Sequence, residues 1–155
     1  MLKISGFEFF VRILPEAFIF IFAAYAFSKT KVNWKNYSVA SLLLGGSVFI
    51  IRMLPINYGV HTILNIIIQT IIVAMICKIN MIEAIKCAII TAVMLFISEG
   101  INIAVLKLFL GDGISNVFTN PTLKTIAGLP SIIFFAVIII GYYIYLLKRK
   151  KFIYV

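Results

Sequence analysis

Long apolar runs alternate with short polar segments along the chain. Five runs approach or exceed the roughly 20 apolar residues that a helix needs to cross a bilayer, and they lie at 7–27, 38–54, 60–77, 85–110 and 126–147. The pattern predicts an all-α fold, a polytopic membrane helical bundle of about five transmembrane helices that forms one integral membrane domain over residues 1–155. The fourth run is longer than a bilayer requires, so we expect a tilt, a bend near Gly100 or an interfacial start around Glu83.

The composition excludes an ordinary soluble protein. Hydrophobic residues make up 63% of the chain and charged residues 12%, against roughly 45–50% and about 25% in typical globular proteins. Such a chain has too few polar side chains to cover a surface that faces water. The first run lacks the basic flank and the small-residue cleavage site of a signal peptide, so we expect it to remain in the mature protein.

The basic residues predict the orientation. The net charge is +9, and because the basic residues flank apolar runs they favour contact with anionic lipid head groups over nucleic acid. Nine of the fourteen fall on the side of the first loop, the third loop and the C-terminus: Lys29, Lys31, Lys35, Lys78, Lys86, Lys148, Arg149, Lys150 and Lys151. Since basic loops stay in the cytoplasm, we expect a multipass plasma-membrane protein with the N-terminus outside and the C-terminus in the cytoplasm.

Polar residues inside the spans are the candidate functional groups. An ionisable group there is costly unless it is paired or hydrated. At about 1.5 Å of rise per residue, seven polar residues of four spans fall in the outer half of the bilayer: Arg12, Glu16, Arg52, His61, Asn65, Glu99 and Asn102. We interpret them as lining one outward-facing pocket that binds a ligand. Glu99 is the strongest candidate, because a carboxylate cannot reach far and Gly100 leaves room beside it.

Two structural interpretations of the same residues stay open. The groups could neutralise one another and orient the helices, since polar contacts also join helices in membranes. Arg12 and Glu16 are four residues apart, so an ion pair within one helix is geometrically available. Alternatively, Arg12, Arg52 and Lys107 could extend to the lipid head groups.

No catalytic, metal or cofactor motif stands out. Two cysteines, Cys77 and Cys87, are too few for a zinc site, and near the cytoplasmic face we expect them to stay reduced. An intramembrane cysteine protease needs His and Cys within reach of each other. His61 and Cys77 are sixteen residues apart, about 24 Å along a helix. We therefore predict no enzymatic activity, no metal and no cofactor.

Short motifs give the chain a family resemblance. Residues 52–55 are R-M-L-P and residues 59–62 are G-V-H-T, with Glu16 in the first span, S-E-G at 98–100 and N-P at 120–121. Over about 7–147 the chain resembles the N-terminal multipass sensor region of Firmicute GHKL-type sensor histidine kinases, a group that includes peptide-sensing quorum kinases. The resemblance implies detection of an extracellular signal, such as a peptide, and transmission through the last span.

The kinase part of that family is missing here. Only four residues follow the basic run at 148–151, so we expect a stand-alone sensor module or a piece of a longer protein. His61 lies on the predicted outer side and cannot be the phosphoacceptor. The predicted function is a non-catalytic sensor or ligand-binding module that signals through its cytoplasmic end to a histidine kinase or another membrane protein. The alternatives are the substrate-binding subunit of a vitamin-like transporter and a small holin-like membrane protein.

Overall fold

The residues that the structure describes form a bundle of five helices. The computed structural model describes residues 8–55, 58–110 and 121–149. A π-helical turn at Phe9–Ile13 leads into α1, and no strand occurs in these ranges. The helices are α1 (Leu14–Phe27), α2 (Trp34–Met53), α3 (Tyr58–Met75), α4 (Met81–Leu110) and α5 (Pro121–Lys148). The predicted all-α bundle is confirmed.

Among the described residues, four helices are long and apolar enough to cross a membrane, which indicates a membrane location. They are Phe9–Phe27, Trp34–Met53, Met81–Phe109 and Thr122–Lys148. The apolar part of α3 is shorter, at Gly59–Met75. With 18 residues, α3 rises about 27 Å, just under the roughly 30 Å of a hydrocarbon core. A fifth crossing by α3 therefore stays a prediction.

Several helices begin before the apolar runs that predicted them. Helix α2 begins at Trp34, where the Asn33 side chain accepts hydrogen bonds from the backbone N–H groups of Lys35 and Asn36 at 3.2 and 3.4 Å. Helix α4 begins at Met81, where the Asn80 side chain accepts one from Ile82 N–H. Asparagine side chains satisfy the free donors of a first helical turn. Hydropathy locates the apolar part of each helix and misses these polar first turns.

Helix α1 lies at the centre of the bundle and packs against each of the other four helices. Its buried face is built largely from small side chains, which let neighbouring backbones approach closely. At one such approach, a Cβ added to Gly45 of α2 would lie 3.5 Å from Ala17 Cβ. Four of its alanines are buried: Ala17, Ala23, Ala24 and Ala26. The central position gives α1 contact with every element that contributes to the site described below.

The end of the bundle that holds the α1–α2 connection is closed by aromatic side chains. The hydroxyl of Tyr37 donates to the backbone carbonyl of Phe18 at 3.1 Å, and the hydroxyl of Tyr143 accepts from Val32 N–H at 3.3 Å. The ring of Phe22 packs between those of Tyr37 and Tyr143. These contacts join α1, α2 and α5 and leave the polar residues of the spans at the opposite end, where α2 meets α3.

The cap of α2 provides a test of the fold. Asn33→Ala removes the acceptor for two N–H groups, so we expect a loss of about 1 kcal/mol of stability, seen as a lower Tm in detergent. Asn36→Ala, a change of the same type on the first turn of the same helix, is the control. Equal Tm values for the two variants would contradict the capping role of Asn33.

Candidate functional site

The site begins with an irregular turn at the start of the first span. The backbone N–H of Leu14 donates to the carbonyl of Phe9, five residues back, which is the π-helical pattern. Pro15 follows directly; it has no N–H, and in a regular α-helix its ring would crowd the carbonyl of Val11. The wider turn relieves that clash. Arg12 lies within this turn.

Ion pairs between helices connect the charged residues of the spans. Arg12 Nη2 lies 2.8 Å from Glu99 Oε1 of α4. Arg52 of α2 contacts Glu16 Oε2 through Nη2 at 3.4 Å and Glu8 Oε1 through Nη1 at 3.7 Å. We call these five residues the ion row. Within the described ranges, Arg12 and Glu16 do not pair with each other. Each arginine therefore pairs with a carboxylate from another helix.

A cavity of about 300 Å³ lies beside the ion row. Its charged lining is the ion row together with Lys124 of α5. Helix α3 contributes the uncharged polar lining, His61, Thr62, Asn65 and Gln69. The apolar lining comes from α1, α3 and α4: Phe20, Ile66, Ala92, Leu95 and Phe96. All five helices therefore meet at one space, which has both polar and apolar walls.

Several buried polar atoms of the lining have no hydrogen-bond partner among the described residues. They are Nε2 of Gln69, Oδ1 of Asn65 and Nε of Arg12, and Gln69 is only 2% exposed. Buried polar groups are normally hydrogen-bonded, and a buried polar group without a hydrogen bond costs about 1–3 kcal/mol of stability. These atoms are themselves fully buried, so they do not face the cavity that the rest of their side chains lines.

A smaller cavity of about 170 Å³ lies next to the first, between α4 and α5. Arg12, Glu99 and Lys124 line both spaces, so the Arg12–Glu99 pair forms part of the wall between them. Gly128 of α5 makes room for this pair, since a Cβ there would lie 3.0 Å from Arg12 Nη1. Asn102 lines only the smaller space, where its Nδ2 donates to the carbonyl of Ala127 at 2.7 Å.

The structure brings together six of the seven residues that the sequence placed in a pocket: Arg12, Glu16, Arg52, His61, Asn65 and Glu99. The exception is Asn102, which was grouped by depth alone. Three residues after Glu99, it faces α5 instead. Arg12 and Arg52 are held in ion pairs, whereas Lys107 is exposed and lines neither cavity.

Four polar lining residues were not in the predicted pocket: Glu8, Thr62, Gln69 and Lys124. Glu8 and Gln69 continue the four-residue steps of Arg12 and Asn65 along their helices, so a helical-wheel argument extended by one turn finds both. Lys124 lies at the start of α5 and carries no such signal. Its place in the lining depends on how α5 packs against α4.

The Arg12–Glu99 pair can be tested by a double-mutant cycle with Arg12→Gln and Glu99→Gln. Because the pair is short and partly buried, with side chains 16% and 32% exposed, we expect a coupling energy of about 1–2 kcal/mol for unfolding in detergent. The exposed Lys86–Glu83 pair, at 2.9 Å, is the matched control, with about 0.3–0.5 kcal/mol expected. Equal coupling in the two cycles would contradict a larger contribution from the partly buried Arg12–Glu99 pair than from an exposed one.

Comparison with known proteins does not place the chain in a family. It matches no family model, no curated protein and no solved structure. The resemblance to the sensor region of GHKL-type kinases therefore stays a prediction. In the described ranges, no three His, Cys, Asp or Glu side chains are grouped as a metal site requires.

Proposed function

We propose that this protein is a non-catalytic ligand-binding module of the plasma membrane. It takes a small polar molecule into the 300 Å³ cavity beside the ion row and acts as a sensor for that molecule. The single observation that carries the proposal is the cavity itself, where five helices converge on charged and polar side chains inside an otherwise apolar bundle.

The cavity favours binding over mere pairing of charges. If the polar residues served only to orient the helices, side chains would fill the space between them, because protein interiors are packed to near-crystalline density. Here the space is comparable to the smaller known ligand pockets, and charged and polar side chains from all five helices line it.

Charge asymmetry supports an outward-facing pocket. Arg52 lies at the same end of the bundle as the cavity, whereas Lys29, Lys31 and Lys78 lie at the opposite connections. By the positive-inside rule the opposite end is cytoplasmic, where anionic lipids attract basic residues. The cavity then opens toward the outside of the cell.

Helix α1 offers a route for a signal. It carries Glu16 of the ion row and packs against every other helix, so a ligand that changes these ion pairs changes the packing of the whole bundle. A partner at the cytoplasmic end would respond to that change. The resemblance to sensor kinases makes a histidine kinase on another chain the first candidate partner, and a peptide or another small extracellular molecule the first candidate signal.

Gln69→Leu tests the binding function. Leucine keeps the size of the side chain and removes the unmet donor, so we expect the unliganded variant to be more stable by about 1 kcal/mol. We also expect it to lose the rise in Tm that a ligand gives to the wild-type chain. The measurement is a thermal-shift screen of both proteins in detergent against a library of small polar metabolites and short peptides.

The control for this screen is Thr91→Val. Thr91 is also fully buried, but its hydroxyl donates to the carbonyl of Cys87 within α4 and it does not line the cavity. It should keep every ligand response of the wild-type chain. A ligand response that survives in Gln69→Leu would contradict binding in this cavity.

Cysteine labelling tests the orientation. In a background with Cys77 and Cys87 replaced by alanine, a cysteine at Met53 should react with a membrane-impermeant maleimide in intact cells. A cysteine at Met81 should react only after the cells are permeabilised. Both positions are exposed, at 65% and 52%, and they lie at opposite ends of the bundle. The reverse labelling pattern would place the cavity on the cytoplasmic side.

A further inference from the structure

The smaller cavity, between α4 and α5, has more positive than negative charge in its lining. Its charged lining residues are Arg12, Lys124 and Glu99. Two cations therefore accompany one carboxylate, and their formal charges sum to +1. Because a charge without a counter-charge is costly beside apolar helices, the cavity favours a ligand group that carries one negative charge.

Lys124 is the cation of this lining that has no counter-charge. Among the described residues, no carboxylate lies within 4.0 Å of its ammonium group. The residue lies in the first turn of α5, a turn that carries no acidic side chain. The helix dipole disfavours a cation at that end of a helix. An anion beside Lys124 would offset both unfavourable interactions.

Arg12 supplies a second donor to the same cavity. Its Nη2 donates to Glu99, whereas its Nη1 makes no hydrogen bond within the described ranges and is not fully buried. Nη1 lies beside Gly128 of α5, where an added Cβ would come within 3.0 Å of it. Gly128 lines the smaller cavity and not the larger one, so Nη1 lies at the smaller cavity.

The two donors lie on one face of α5. Lys124 and Gly128 are four residues apart, and residues at that spacing are neighbours on a helix surface. The hydrogen bond from Asn102 Nδ2 to the carbonyl of Ala127, at 2.7 Å, joins α4 to α5 beside them. An ammonium group and a guanidinium nitrogen therefore border one small space, and such groups form strong hydrogen bonds to phosphate and carboxylate oxygens.

Both cations lie near the depth of the phospholipid head groups. Arg12 is three residues after the start of the candidate span Phe9–Phe27, and Lys124 is two residues after the start of Thr122–Lys148. At about 1.5 Å of rise per residue, these offsets are only about 3–5 Å. The anions that a bilayer supplies at this depth are the phosphodiesters of its lipids.

The apolar side of the cavity borders the outer surface of the bundle. Ile103 and Leu106 of α4 line it, and Ile103 is 47% exposed. In a membrane, acyl chains cover such a surface. The volume of about 170 Å³ is below the roughly 300–1,000 Å³ of typical ligand pockets, so the cavity suits a head group whose apolar part lies outside it.

From these observations we propose that the cavity between α4 and α5 binds a phosphodiester, the singly charged group that joins the head of a membrane phospholipid to its acyl chains. The phosphate oxygens accept hydrogen bonds from Lys124 Nζ and Arg12 Nη1, and the chains lie along Ile103 and Leu106. A bilayer phospholipid is the source that the depth favours, and a soluble phosphodiester shares the same chemistry. The site does not depend on the binding function proposed for the larger cavity.

Four probes test which part of the ligand is recognised. Dioctanoyl phosphatidylglycerol has the phosphodiester and the chains, dioctanoylglycerol lacks the phosphate, glycerophosphoglycerol lacks the chains, and octanoate has a carboxylate instead. Binding to the full chain in mild detergent is measured by native mass spectrometry. We expect the phospholipid to bind at least about tenfold more tightly than dioctanoylglycerol, because without the phosphate the two cations have no partner.

The other two probes identify the source and the anion. Glycerophosphoglycerol should bind more weakly than the phospholipid, because it buries no acyl chain. Equal affinity of these two would keep the phosphodiester site and identify a soluble molecule as the source. Dioctanoylglycerol or octanoate that binds as tightly as the phospholipid would overturn the proposal.

Lys124→Gln locates the binding in this cavity. The variant keeps a side chain of similar length and loses the ammonium group, so we expect the affinity for the phospholipid to fall about tenfold. Lys124→Arg keeps the charge and should restore the affinity. Lys107→Gln is the matched control, since Lys107 is an exposed lysine in the last turn of α4 that lines neither cavity. It should bind the phospholipid as the wild-type chain does.

Two results with these variants would contradict the site. An unchanged affinity in Lys124→Gln would overturn it, and so would an equal loss in Lys107→Gln, which would indicate attraction to general positive charge. The metabolite screen of Gln69→Leu reports on the larger cavity alone, because Gln69 lines only that one. Failure of one proposal is therefore distinguishable from failure of the other.

Discussion

A guanidinium group within the apolar part of a bilayer costs several kcal/mol unless a counter-charge or water reaches it. This protein places two of them, Arg12 and Arg52, at one end of its bundle and supplies the counter-charges from other helices. The counter-charges come from neighbouring helices, since Arg12 pairs with Glu99 of α4 and Arg52 of α2 pairs with Glu16 of α1. The positions of α1, α2 and α4 relative to one another follow from these pairs.

The two ends of the bundle pack differently because these ion pairs lie at one of them. At the α1–α2 end, alanines and aromatic rings fill the space between helices, and tyrosine hydroxyls bond to backbone groups. At the opposite end, long charged side chains hold the helices apart, and their partial burial leaves the space of about 300 Å³. The space therefore lies where charged side chains, rather than small and aromatic ones, separate the helices.

The sequence predicts the fold class and much of the site's membership, because both depend on position along a helix. Hydropathy locates the five helices, and counting residues from their ends brings Glu16, Arg52 and Glu99 to a common depth. Which residues contact one another depends also on the rotation of each helix about its axis, and the depth of a residue in the membrane does not give that rotation. Asn102 shares the depth of Glu99 but faces Ala127. Likewise, the pairing of Arg12 with Glu99 depends on how the first span packs against α4. The place of Lys124 in the lining depends on how α5 packs.

The central claim is that the space beside the ion row is a binding site. Native mass spectrometry of the chain, purified in mild detergent from the membranes of its own host, tests it most directly. We expect the wild-type chain to carry a bound small molecule, released on collisional activation, and the Gln69→Leu chain to carry none. A wild-type chain without any bound molecule, or equal occupancy in both chains, would contradict it and leave the ion row a purely structural device.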